Sequence, residues 1–142
     1  MTMATQAAFF LLVATTALVP QCDSQGALLR GWIQRKPGKS LYLDLANILL
    51  SSQTTHNKDT YDTVANVTEV YSRLVSSREY RIVFTTAPSN CTVGEDTYSA
   101  QQCVPVGEVD GLCSGIIYYD PDLNITDVSD FNCSPYSQDN GN

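Results

Sequence analysis

A chain of 142 residues with 43% hydrophobic side chains has room for one domain of ordinary size, long enough to bury a core but not two. Its formal charge is −7, and all eight Lys and Arg fall between Arg30 and Arg81; every charged residue after that is an acid (Glu95, Asp96, Glu108, Asp110, Asp120, Asp122, Asp127, Asp130, Asp139). Such a surface argues against nucleic acid as a partner, because phosphate binding needs clustered cations, and the acids read as solubilising charge.

The first element is the apolar run Ala7–Val19, too short to cross a hydrocarbon core about 30 Å thick. It reads as the apolar centre of a signal peptide, although the preceding MTMATQ lacks Lys and Arg, with cleavage expected near Ser24; a buried N-terminal helix is the rival reading. No later segment is long and apolar enough to hold a membrane, so the chain is expected to be secreted and extracellular. The expected layout is a signal peptide over 1–24, one domain over 25–134 and a polar tail over 135–142. Cleavage removes Cys22, a poor lipid anchor because Pro20 and Gln21 precede it.

Between Ser40 and Ser52, Leu41, Leu45, Ile48, Leu49 and Ser52 recur at three- and four-residue spacing, which predicts a helix with one apolar stripe. Ser40 is the expected N-cap, Asp44 suits the positive end of the dipole, and the polar stretch Gln53–Asp59 ends the helix. Strand-like runs follow over Thr63–Leu74, Glu79–Thr86 (with Tyr80, Ile82 and Phe84 on one face), Ser114–Tyr119 and Ile125–Phe131. One helix followed by about four strands predicts an α+β fold in which an antiparallel sheet wraps over the helix.

Cys91, Cys103, Cys113 and Cys133 form an even set, as expected of disulfides in a secreted chain. Three pairings exist, of which the sequential one is the most local, each of its loops removing on the order of 3 kcal/mol of unfolded-state entropy. Zinc is the rival reading, but there is no CxxC pair and the single histidine, His56, is remote in sequence. Glycosylation sequons start at Asn66, Asn90, Asn124 and Asn132; Asn66 and Asn124 are the candidates, since a bridged cysteine makes Asn90 and Asn132 poorer acceptors.

Gly31-Trp32, then a helix, a long strand entering a hairpin, and four late cysteines with Pro121 eight residues after Cys113 together give a pattern that resembles the type 2 cystatins, in particular those of tick saliva. The resemblance covers nearly the whole mature chain and implies the cystatin fold, an antiparallel sheet around one long N-terminal helix, with sequential disulfides. It also implies a reversible, tight-binding inhibitor of papain-like cysteine proteases of the cathepsin L and S type. Members of that family wedge three elements into the protease cleft: a glycine-hinged N-terminal segment, a QxVxG loop and a Pro-Trp hairpin.

Carried over by position, these are Gly31, the stretch Arg73-Leu74-Val75-Ser76-Ser77, and Pro121-Asp122. Only Val75 matches in the first loop, and Asp122 stands where the family has Trp. A residue other than glycine forced into a left-handed turn costs roughly 1–2 kcal/mol, and losing a buried Trp roughly 1.5–3 kcal/mol. On that reasoning the two changes together weaken binding by about two to four orders of magnitude. A glycan on Asn124 would stand close to the protease-facing surface. The legumain site of some cystatins falls near Asn57, whose neighbours His56 and Lys58 differ from that family motif.

Enzyme readings are weak: the mature cysteines are accounted for as disulfides, and no GxSxG-like element accompanies His56. Asp120, Asp122 and Asn124 alternate like the start of a calcium loop, but Ile125 and Phe131 occupy the positions that need Gly and Glu. The chain is therefore expected to be a monomeric inhibitor with no catalytic residues, cofactor or metal. The alternative is a cystatin-fold protein-binding module that has lost protease inhibition.

Overall fold

The computed structural model describes residues 31–52, 58–122 and 125–137. The apolar run 7–19, the expected cleavage point at Ser24, Cys22, His56, Asn57 and Asn124 lie outside the described residues.

After the short strand β1 (Ile33–Arg35), Pro37 and Gly38 form a turn, and the Leu- and Ala-rich stretch that follows becomes helix α1 (Ser40–Ser51). Lys39, in extended conformation, occupies the N-cap, so Ser40 is the first helical residue rather than the expected cap, and Asp44 sits beyond the first turn, which holds no acid. The far end is closed by serine: the Ile48 carbonyl accepts from Ser52 N–H at 3.1 Å and also from Ser51 Oγ at 2.9 Å, and Ser52 Oγ donates to the Leu49 carbonyl at 2.7 Å.

The buried face of α1 is Tyr42, Leu45, Ala46, Leu49 and Leu50. It is turned about one residue, roughly 100°, from the expected stripe, and Ile48 is left exposed. The cause lies in two residues with weak hydropathy: Tyr42 packs on Tyr80 with ring centroids 5.8 Å apart, and the small Ala46 lets the helix approach the sheet.

Four longer strands follow: β2 (Thr60–Leu74), β3 (Arg78–Thr92), β4 (Gly111–Asp120) and β5 (Ile125–Pro135). With β1 they form one antiparallel sheet in the order β1-β2-β3-β4-β5. β1 escapes sequence reading because three exposed residues show no alternation between buried and exposed faces. Tyr80, Ile82 and Phe84 enter the core beside Val64, Val67, Val70 and Ile117, facing α1. Register shifts near Asp62, Asn66 and Glu69 let long β2 bend around the helix.

A further irregularity lies between Ser114 and Ile116, where Asp130 adopts φ 51° and β5 carries an extra residue opposite Gly115. Phe131 is thereby aimed at Phe84, the ring centroids lying 6.5 Å apart. Gly115 lies against the helix: a Cβ built there would come within 2.9 Å of Leu49 Cδ2 and 3.3 Å of Phe131 Cδ2.

Disulfides join Cys91 to Cys103 and Cys113 to Cys133. The second links paired positions of β4 and β5; the first closes the excursion between β3 and β4, which Tyr98 fastens to α1 by donating to Asn47 Oδ1 at 2.7 Å. Tyr136 N–H donates to the Asp110 carbonyl at 2.9 Å, so ordered backbone contacts reach two residues into the segment read as tail.

Candidate functional site

Three chain segments meet at one end of the sheet. β2 and β3 pair to the end, Leu74 opposite Arg78, and leave Val75-Ser76-Ser77 as a three-residue turn in which Val75 N–H donates to the Ser77 carbonyl at 3.2 Å. Arg78 in turn pairs with Tyr119, which brings the turn between β4 and β5 to the same end. The antiparallel pair Ile33 and Ser72 points the start of β1 the same way, so Gly31 lies beside the end of β2. The order across this edge is Gly31, the turn at 75–77, then Pro121-Asp122. At about 4.8 Å between strands, the two turns stand roughly 10 Å apart.

Each segment has a local reason for its shape. In the second turn, Asp120 Oδ1 accepts a hydrogen bond from Asp122 N–H at 3.0 Å while the Pro121 ring fixes its φ. Pro121 and Asp122 are both exposed. In the first turn, Leu74 and Val75 show 47% and 59% of their surface, an apolar tip that no neighbour covers among the described residues. None of residues 73–77 adopts a positive φ. The expected left-handed strain from the missing glycine is therefore absent, because the three-residue turn closes with Ser76 and Ser77 in ordinary backbone conformations.

Arg73 does not point from the tip as a loop residue. Its Nε donates to Glu79 Oε2 in a salt bridge across the hairpin, Glu79 being nearly buried, and its guanidinium lies 4.3 Å from the centre of the Trp32 ring. A cation over an indole face is attracted by the ring quadrupole. Arg73 thus clasps the stem that carries Gly31 to the first hairpin. The pairing of Arg73 with Glu79 was readable in principle, since the two flank the turn symmetrically; the packing of Trp32 leaves no signal in sequence spacing.

Of the sequons, Asn66 is exposed on β2. Eight residues separate it from Leu74, about 27 Å along an extended strand. Asn90 is engaged by the fold: its Oδ1 accepts from Val104 N–H at 3.0 Å, beside the Cys91 bridge. Among the described residues no cluster of His, Cys, Asp or Glu is arranged to hold a metal ion.

No family model matches the chain. It is 37% identical over 123 residues to Cystatin-2 of Ornithodoros moubata, covering 85% of this chain and 95% of that protein. To Mialostatin of Ixodes ricinus it is 32% identical over 129 residues, 89% and 91% of the two chains. Among solved structures, the salivary cystatin of the soft tick Ornithodoros moubata superposes with a TM-score of 0.67 at 36% identity, covering 73% of this chain and 96% of that one. Mialostatin, a gut cystatin of the hard tick Ixodes ricinus, gives 0.69 at 31% identity, over 75% and 100%.

Proposed function

Because the chain belongs to the tick cystatins, we propose that it is a secreted inhibitor of papain-like cysteine proteases and not an enzyme, acting by reversible insertion of one sheet edge into the protease cleft. The observation that carries this reading is the convergence of Gly31, the Arg73–Ser77 stretch and Pro121-Asp122 at one end of the sheet. Substrate-like backbone from the N-terminal stem, an apolar tip formed by Leu74 and Val75, and the second turn then fill the cleft side by side.

The two disulfides and the relationship to a salivary cystatin support export. Removal of residues 1–24 by signal peptidase belongs to the same proposal. A glycan on Asn66, about 27 Å from the first turn, is compatible with inhibition.

With no left-handed strain in the first turn, the deficit relative to the family pattern reduces to Asp122 in place of Trp. That is roughly 1.5–3 kcal/mol, or about one to two orders of magnitude in affinity. The test is a titration of active-site-quantified cathepsin L and papain with the secreted mature protein, before and after deglycosylation. Inhibition at nanomolar to sub-micromolar concentration is expected. No inhibition at tens of micromolar by folded, deglycosylated protein would overturn the reading and assign the chain to a non-protease partner, the outcome that the exposed Asp122 carboxylate favours.

A further inference from the structure

Beside the first hairpin, between the start of α1 and strands β1 to β3, lies an open groove of about 410 Å3. Its floor holds the rings of Tyr42 and Tyr80, tilted against each other, with Leu41 and Ile33 beside them. Its rim carries Arg35, Lys39, Arg73 and Arg78, half of all the cationic side chains in a chain of net charge −7. Arg73 is neutralised by Glu79, and Arg35 is steadied by a 2.8 Å hydrogen bond from its Nε to Ser72 Oγ. Arg35, Lys39 and Arg78 have no acidic partner among the described residues.

A second observation points into the same space. Tyr42 and Tyr80 are 4% and 5% exposed, and what each leaves uncovered lines the groove. The buried side-chain oxygen without a partner among the described residues is Ser129 Oγ, so the two phenol oxygens are not shut into the core; they reach solvent at the groove, where the head of a bound molecule can accept from them. From this geometry we infer that the groove is a binding site for a small amphiphilic anion, a carboxylate-headed molecule whose apolar body lies over the tyrosine rings and whose head meets Arg35, Lys39 and Arg78. The volume falls in the range of small-molecule sites, whereas a docked protein segment needs several hundred square ångströms of matched surface. The mixture of apolar floor and cationic rim selects a ligand with both characters over a simple salt anion.

The probe is decanoate, below its micelle concentration, added to the 15N-labelled mature protein, with decyl maltoside as the uncharged counterpart. Amide shifts are expected to centre on Ile33, Leu41, Ser72 and Tyr80, with a Kd on the order of 0.1–1 mM for a ligand of this size. The variant Lys39→Glu/Arg78→Glu changes two exposed side chains outside the proposed protease-contacting set. It should weaken decanoate binding at least tenfold while the thermal midpoint stays unchanged. Tyr42→Phe, which keeps the ring and removes the donor, should weaken it severalfold.

Equal binding of decyl maltoside, indifference to the charge reversal, or shifts centred away from the groove would each overturn the assignment. So would a failure of decanoate to bind where an acidic peptide does, which would make the groove a protein-docking surface. Binding is read directly, so the result stands whether or not the protein inhibits a protease.

Discussion

Asp122 lies at one end of the candidate edge and Arg73 in the stem behind it, and each yields a separable expectation. Asp122→Trp replaces a solvated carboxylate with a large apolar anchor at the tip of the second turn, so tighter inhibition by about one to two orders of magnitude is expected, seen chiefly as slower dissociation. An unchanged inhibition constant would show that this turn does not reach the protease. Arg73→Ala acts on the fold instead: it leaves the nearly buried Glu79 without its counter-charge and Trp32 without its cation. A loss of roughly 2–3 kcal/mol in urea unfolding is expected, discounted because Arg73 is itself partly exposed, and Arg73→Ala/Glu79→Gln should recover part of it. Residue identity alone located Gly31, Val75 and Pro121 at the edge because their matches to the family pattern are local. It could not show that Arg73 faces inward, since that follows from which face of β2 meets the buried Glu79.

Among the elements, the strands were legible where alternation was strong. Tyr80, Ile82 and Phe84 are buried on one face, whereas β2 and β3 extend beyond their expected ends because bulges break the two-residue period that marks a strand. The helix was legible in extent but not in rotation, because Tyr42 and Ala46 earn their buried positions through shape rather than hydropathy. The helix–sheet distance rests on Gly115. Gly115→Ala drives a methyl group to within 2.9 Å of Leu49 Cδ2, on a side chain with no exposed surface that cannot easily move aside. A loss of about 1–2 kcal/mol is expected, the overpacking cost being partly offset by the better strand propensity of Ala, and it should lower the thermal midpoint by about 5 °C or more. A midpoint at or above that of the parent protein would show that the helix is free to shift.

For the whole molecule, stability should fall in strong alkali. Burial pushes the Tyr98 phenol above the usual tyrosine range, while hydrogen bonds with the Thr63 side chain and Val64 backbone pull it partly back. The folded state therefore holds that proton more tightly than the unfolded chain. The resulting stability is intact below about pH 10 and is lost as pH rises from there through the folded value. Urea unfolding at pH 8 and pH 11 should show a larger drop for the parent than for Tyr98→Phe. The order of the strands has an electrical consequence as well. Because the sheet runs β1 to β5 in chain order, the uneven charge along the sequence becomes an uneven charge across the molecule. Residues 31–81 carry seven basic and five acidic side chains, and everything beyond carries acids alone. The protein is thus a dipole with its negative pole towards β5, and an approaching charged surface will turn it before touching it, a torque that fades as salt shortens the screening length to about 8 Å at physiological ionic strength.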